Sequence, residues 1–227
     1  MSDEVEPTPK PIRYKAEQDQ AISDFNTAAA QYLSVILDDA EIASLLAGRS
    51  YDAAKLAAGH ELQQTLAAAI AHRQNMLGSK GSAGFGLNSA SDQARAAFAD
   101  YRETVKSITT LTAADRMALG ATGRVFRDKQ KFITQATAAY DNAALPAYAP
   151  TLAQFGYPAA ALTSARATLD AYAKADTDQS VVGGDATKAT ADRNLAYEDL
   201  KTYMKQLKGI ASVTLRQRPD LLKKLEV

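Results

Sequence analysis

Residues 22–48, ISDFNTAAAQYLSVILDDAEIASLLAG, decide the fold class. Ile22, Phe25, Ala29, Tyr32, Ile36, Ala43 and Leu46 recur at helical intervals, so a helix places them on one apolar stripe while a strand would scatter them over both faces. The stripe predicts one helix that closes near Gly48. Asp39 interrupts it, and such a residue either stands exposed at a bundle edge or pairs with a basic partner and fixes helix register.

The same periodicity recurs downstream. Residues 51–77 read as a second helix with Leu56, Leu66, Ile70 and Leu77 on its buried side and Gly78 where a C-cap belongs. Residues 78–88, GSKGSAGFGLN, are rich in glycine and serine, and each glycine costs a helix about 1 kcal/mol relative to alanine, so this stretch predicts a loop. Ser89 with Asp92 then opens a third helix, with Phe98, Tyr101, Val105, Ile108 and Leu111 along one face. Thr112 with Asp115 starts a short helix that stops at Gly120 and Gly123.

After Gly123 the pattern begins again. Phe132, Ile133, Ala136 and Tyr140 share a helix that Pro146 and Pro150 must break, and Pro158 suits the first turn of the next, which buries Leu162, Ala165, Leu169 and Tyr172. That helix is expected to end before Val181-Val182-Gly183-Gly184. A last long helix carries Leu200, Met204, Leu207, Ala211 and Leu215, and Pro219-Asp220 opens a terminal turn or short helix.

These elements predict an all-α fold, an antiparallel helical bundle made of two related halves packed together. Tyr51, Ala53, Ala54, Leu56 and Leu66 fall opposite Tyr157, Ala159, Ala160, Leu162 and Tyr172 at one constant offset. In the following helices Phe98, Tyr101 and Val105 match Tyr197, Leu200 and Met204 if the second loop is shortened, and a competing register sets Ser107–Leu111 beside Ala211–Leu215. The expected organisation is an acidic, proline-rich flexible tail at 1–13, an N-terminal helical half at 14–123 and a C-terminal half at 124–227.

A chain of 227 residues is long enough to bury a sizeable core. Its 26 basic and 26 acidic residues cancel, so no global field selects nucleic acid or a membrane surface, and any electrostatic role must be local. The absence of cysteine excludes disulfides, thiolate metal sites and a cysteine nucleophile. No apolar run approaches the ~18 residues of a membrane span, and the N-terminal residues offer no signal-type apolar stretch, so the cytoplasm is the default location, with signal-independent export compatible.

Bundle enzymes project Glu-x-x-His pairs inward, whereas the only histidines here, His60 and His72, lack that spacing and lie about 120° apart on a helix. No metal, cofactor or catalytic residue is expected. The glycine-rich 78–88 run invites a phosphate cradle, yet Lys80 comes too early for a Walker loop and a helix precedes where a strand is needed. Two surfaces remain. Lys201, Lys205, Lys208, Arg216 and Arg218 face few acids, and the first three share a helix face, a candidate contact for an anionic partner. Alanines on several sides of the helices around Ala68 and Ala171 form a candidate assembly face, because small side chains let helix axes approach closely. The expected function is therefore a non-catalytic structural or protein-interaction bundle that assembles with itself, as a homo-oligomer or filament, or with another protein; the alternative is a module binding nucleic acid or an anionic surface through the C-terminal basic face.

Overall fold

The computed structural model describes residues 12–226 and the side chains of 16–226. Most of the tail expected at 1–13 lies outside the described residues, and Ile12 and Arg13 already belong to the first helix. The fold is all-α, with no strand among the described residues. In chain order the helices are α1 (Ile12–Asp38), α2 (Ala40–Ala47), α3 (Ala53–Ser107), α4 (Ala113–Ala118), α5 (Lys129–Ala143), α6 (Ala149–Gln154), α7 (Ala159–Thr214) and α8 (Pro219–Lys224).

Among the described residues two compact units cut across the chain halves: one takes residues 12–76 and 186–226, the other 77–185. Helices α3 and α7, of 55 and 56 residues, each belong to both. In the first unit Ile22, Leu33 and Ile36 of α1 pack with Ile42 and Leu46 of α2, Leu56 and Leu66 of α3, and Leu200, Met204 and Leu207 of α7, and Leu221 of α8 closes one end. This core is mainly aliphatic. Burying each of those leucine and isoleucine side chains contributes about 1.5–3 kcal/mol before entropy is counted.

The second unit has an aromatic core. Phe98 and Tyr101 of α3 meet Phe132 and Tyr140 of α5 at ring separations of 5.2–5.8 Å, with the planes steeply inclined, and Tyr172 of α7 tilts against Phe132 at 6.2 Å. Such edge-to-face pairs add about 0.5–1.5 kcal/mol each beyond the area they bury. Burial pushes the Tyr140 phenol up to about 12. Helix α4 carries the expected Thr112–Asp115 capping box, in which each side chain accepts from the other residue's backbone N–H.

The first predicted helix is two helices. Asp39 leaves the helical conformation (φ −103, ψ 99) and its carboxylate accepts the N–H groups of Glu41 and Ile42 at 3.1 and 3.2 Å, so it caps α2. The backbone ladder barely pauses, since the Asp39 N–H still reaches Val35 at 3.2 Å and its carbonyl receives the Ala43 N–H at 3.0 Å. The other carboxylate oxygen accepts from Lys224 Nζ at 2.7 Å, the basic partner that one reading of the sequence required.

The glycine-rich run at 78–88 is helix, not loop, and Val181–Gly184 likewise lie inside α7. There is thus no helix end at Gly78, no new start at Ser89 and no break before Val181. At Gly78, Gly81, Gly84 and Gly86 an added Cβ would meet open space, so packing does not demand glycine there and none of the four has a left-handed backbone. Their summed propensity cost is about 4 kcal/mol. Two new helix ends would instead leave about eight backbone groups without intrahelical partners. Anchors on either side, Leu66 in the first core and Leu87, Ala94 and Phe98 in the second, hold the helix through the weak stretch.

Some elements of the two chain halves recur at one spacing. A shift of 106 residues carries the start of α3 at Ala53 onto the start of α7 at Ala159, and α4 (Ala113–Ala118) onto α8 (Pro219–Lys224). Several buried residues recur at the same spacing, Leu56 and Leu162, Ala94 and Leu200, Phe98 and Met204, Tyr101 and Leu207, Val105 and Ala211, Leu119 and Leu225, whereas buried Leu111 and Leu215 fall opposite exposed Gln217 and Thr109. In the turn before each long helix the Tyr51 N–H reaches Leu46 O at 3.0 Å and the Tyr157 N–H reaches Leu152 O at 2.9 Å. Both turns use a left-handed residue, Gly156 at φ 89 and Ser50 at φ 65. The alignment that pairs Phe98 with Tyr197 needs a loop to shorten, and α3 and α7 are continuous helices there.

The Asp39–Lys224 contact makes α2 acid-sensitive. Lys224 first, then the Ile42 N–H, hold the Asp39 carboxyl below its ordinary 3.8. A carboxylate depressed in the folded state contributes stability that is complete above its unfolded pKa and is lost as pH falls through the folded value. Denaturant titrations of the wild type and Asp39→Asn should differ by a constant amount down to about pH 5 and converge below it. A gap that stays unchanged to about pH 2 would remove the charge from this account.

Candidate functional site

The structure does not gather the five predicted basic residues onto one free face. Lys201 Nζ lies 3.1 Å from Glu198 Oε1 and over the Tyr197 ring, and Glu198 raises the Lys201 pKa. Arg218 is shared by Glu41 and Asp220, which raise its pKa in turn. Lys208 lies over the Tyr32 ring at 5.1 Å, and Arg216 is exposed in the turn after α7. Lys205 alone points to something new.

Lys205 lines an open cleft of about 670 Å³ in the first unit, together with Arg49, Tyr51 and Lys55 from the other side. The α2–α3 turn makes that side. Ser50 turns the chain there with a left-handed backbone, leaving Arg49 exposed and Tyr51 buried against the core, and Asp52 caps α3 by accepting the Lys55 N–H at 2.9 Å. Lys55 Nζ lies 4.5 Å from the Tyr51 ring centre. Tyr203 secures the facing helix: its hydroxyl donates to Lys55 O at 2.9 Å and its ring sits where a Cβ on Gly59 would go. Glycine at 59 therefore permits this close approach. Burial, with Tyr51 nearby, pushes the Tyr203 phenol up to about 12.

None of the cleft's lining residues is acidic. Arg49, Lys55 and Lys205 supply three cations, Gln206 and Thr202 offer neutral hydrogen-bonding groups, and Ile210 gives an apolar wall. Sequence reasoning found Lys205 but missed Arg49 and Lys55, because only the pairing of α3 with α7 brings these distant segments together. The available signal was the Arg49-Ser50-Tyr51 turn, whose counterpart Phe155-Gly156-Tyr157 lacks the cation.

A second polar feature was also missed. Asp19 of α1 accepts from Arg193 of α7 with one oxygen and from Arg73 of α3 with the other, the latter at 2.8 Å, so one carboxylate ties three helices of the first unit. Arg193 is 4% exposed and Asn194 Oδ1 takes two further N–H donors from it, at 2.7 and 3.2 Å. Arg73 also donates to Thr190 at 3.2 Å. Among the described residues no buried side-chain atom of the clamp lacks a hydrogen-bond partner, and the clamp reads as a register device.

Among the described residues no group of three or more histidines and carboxylates gathers in metal-binding reach. His60 is 3.0 Å from Gln64 on its own helix face. Ala68 and Ala171, the candidate assembly residues, are both exposed. Among the described residues no helix is long and apolar enough to cross a membrane.

Removing the clamp's carboxylate strands a buried guanidinium. Asp19→Ala should cost about 2–3 kcal/mol, below the range for a fully enclosed pair because Asp19 itself keeps some exposure, and Asp19→Asn should cost less. Equilibrium urea unfolding measures both, and a loss under about 0.5 kcal/mol for the alanine variant would contradict the clamp. The chain matches no known protein-family model, no curated protein and no solved structure.

Proposed function

We propose that the protein is a non-catalytic helical scaffold, built as two related antiparallel halves, whose exposed helix faces bind a second copy of the chain. The matching of helix starts, turns and buried positions under a single shift supports the duplicated reading. The observation that carries assembly is the exposure of alanines outside both cores: Ala68 and Ala71 on α3, and Ala167 and Ala171 on α7, spaced three or four apart. Small side chains at that spacing let a neighbouring helix approach near the lower end of the ~8–10 Å packing range. Each alanine buries little area, so a stable contact must run along much of a helix to reach about 1,000 Å². Helices of 55 and 56 residues offer that length.

A second reading, binding of an anionic partner, is favoured by one observation, the cation-lined cleft that holds Lys205. It narrows the basic face to a local site, since Lys201 and Arg218 are already neutralised by acids.

Light scattering at high protein concentration and near-physiological salt should report a closed homo-oligomer or a filament, and Ala68→Glu or Ala171→Glu should shift it toward monomer. A strict monomer for the wild type would overturn the assembly reading.

A further inference from the structure

We propose that the cleft lined by Arg49, Lys55 and Lys205 is a binding site for a small organic phosphate, an anion of at least two charges that carries a flat or apolar group. The charge requirement comes first. Three cations of the first unit converge on one cleft and none of them takes part in an ion pair among the described residues, whereas Lys201, Arg218 and Lys224 nearby each have a carboxylate. Holding like charges together without a counter-ion is unfavourable, and a multivalent anion relieves it. Arginine's planar fork suits phosphate oxygens, and lysine adds point charges beside it.

The fold does not require these cations. In the second unit the shift of 106 places Phe155 where Arg49 stands, Ala161 for Lys55, Ala99 for Lys205, Asp100 for Gln206 and Glu103 for Gly209. The same turn forms there with the same backbone hydrogen bonds, and the Tyr157 hydroxyl donates to Asp100 at 2.7 Å across the corresponding space. One architecture thus carries a cationic cleft in one unit and a tyrosine–aspartate bond in the other. The charges at 49, 55 and 205 are an addition to the scaffold.

The remaining surface selects the ligand's other part. Ile210 and the edge of the largely buried Tyr51 give an apolar wall, Thr202 and Gln206 give neutral polar contacts, and about 670 Å³ falls within the size of small-molecule sites. A phosphate alone leaves that wall unused.

Isothermal titration calorimetry of the full chain with ADP tests the assignment, with adenosine and a short single-stranded DNA as further titrants. ADP should bind saturably, adenosine should not, and an Arg49→Gln/Lys205→Gln double variant should bind ADP at least about tenfold more weakly while keeping its helical dichroism. Lys201→Gln, outside the cleft, should leave ADP binding unchanged. The proposal is overturned if ADP shows no saturable binding, if the double variant binds it as well as the wild type, or if the DNA binds about tenfold more tightly than ADP with the same loss in the double variant. The outcome is independent of oligomeric state: a monomer that still binds ADP removes only the assembly reading.

Discussion

Everything in this fold depends on helical continuity through the two glycine-bearing stretches. Each core takes one segment of α3 and one of α7, so neither chain half contains a complete core of its own. The first unit closes only when its residues up to 76 meet those from 186 on, across the intervening residues 77–185, whose closure costs entropy that grows slowly with length. Were α3 to end at Gly78, two frayed ends would appear in the place where the structure has a single hydrogen-bonded ladder. Continuity holds because packing on both flanks outweighs about 1 kcal/mol per glycine, the usual way tertiary structure overrides propensity.

The two units fill their cores differently. The second fills its centre with interlocking rings around Phe98 and Tyr140, where inclined aromatic faces specify geometry. The first has smaller aliphatic side chains, and its register is held by the Asp19 clamp on Arg73 and Arg193 and by Asp39 with Lys224. Charged side chains that link helices do little for net stability compared with apolar packing, and in some proteins such contacts fix helix register. The unit that carries these polar devices also carries the cation-lined cleft.

Much of the fold was legible in the sequence where periodicity and capping agree. The three-four stripe of α1, the Thr112–Asp115 box of α4, the proline break after α5 and the Pro219 start of α8 all appear where the residues place them. What was not legible needed information from outside the local window. A propensity argument at Gly78–Asn88 sees the cost of four glycines but not Leu87 and Phe98 packed beyond them. Asp39 on an apolar stripe shows neither its cap geometry nor Lys224, which lies 185 residues away. The cleft is the same case. Lys205 stood out in a basic run, but Arg49 and Lys55 acquire meaning only once α3 lies beside α7, and the ion pairs that neutralise Lys201 and Arg218 are equally invisible along the chain.

The most direct test of this account asks whether α3 is one helix. The chain has no cysteine, so nitroxide labels at Leu77→Cys and Gln93→Cys, two exposed positions of the second unit that flank the glycine run, would be the only ones present. At about 1.5 Å rise per residue, pulsed dipolar spectroscopy should give a single narrow distribution centred at about 24 Å, widened only by the label linkers. A broad or distinctly shorter distribution would mean that the chain turns within residues 78–88, and the shared-helix fold would be wrong.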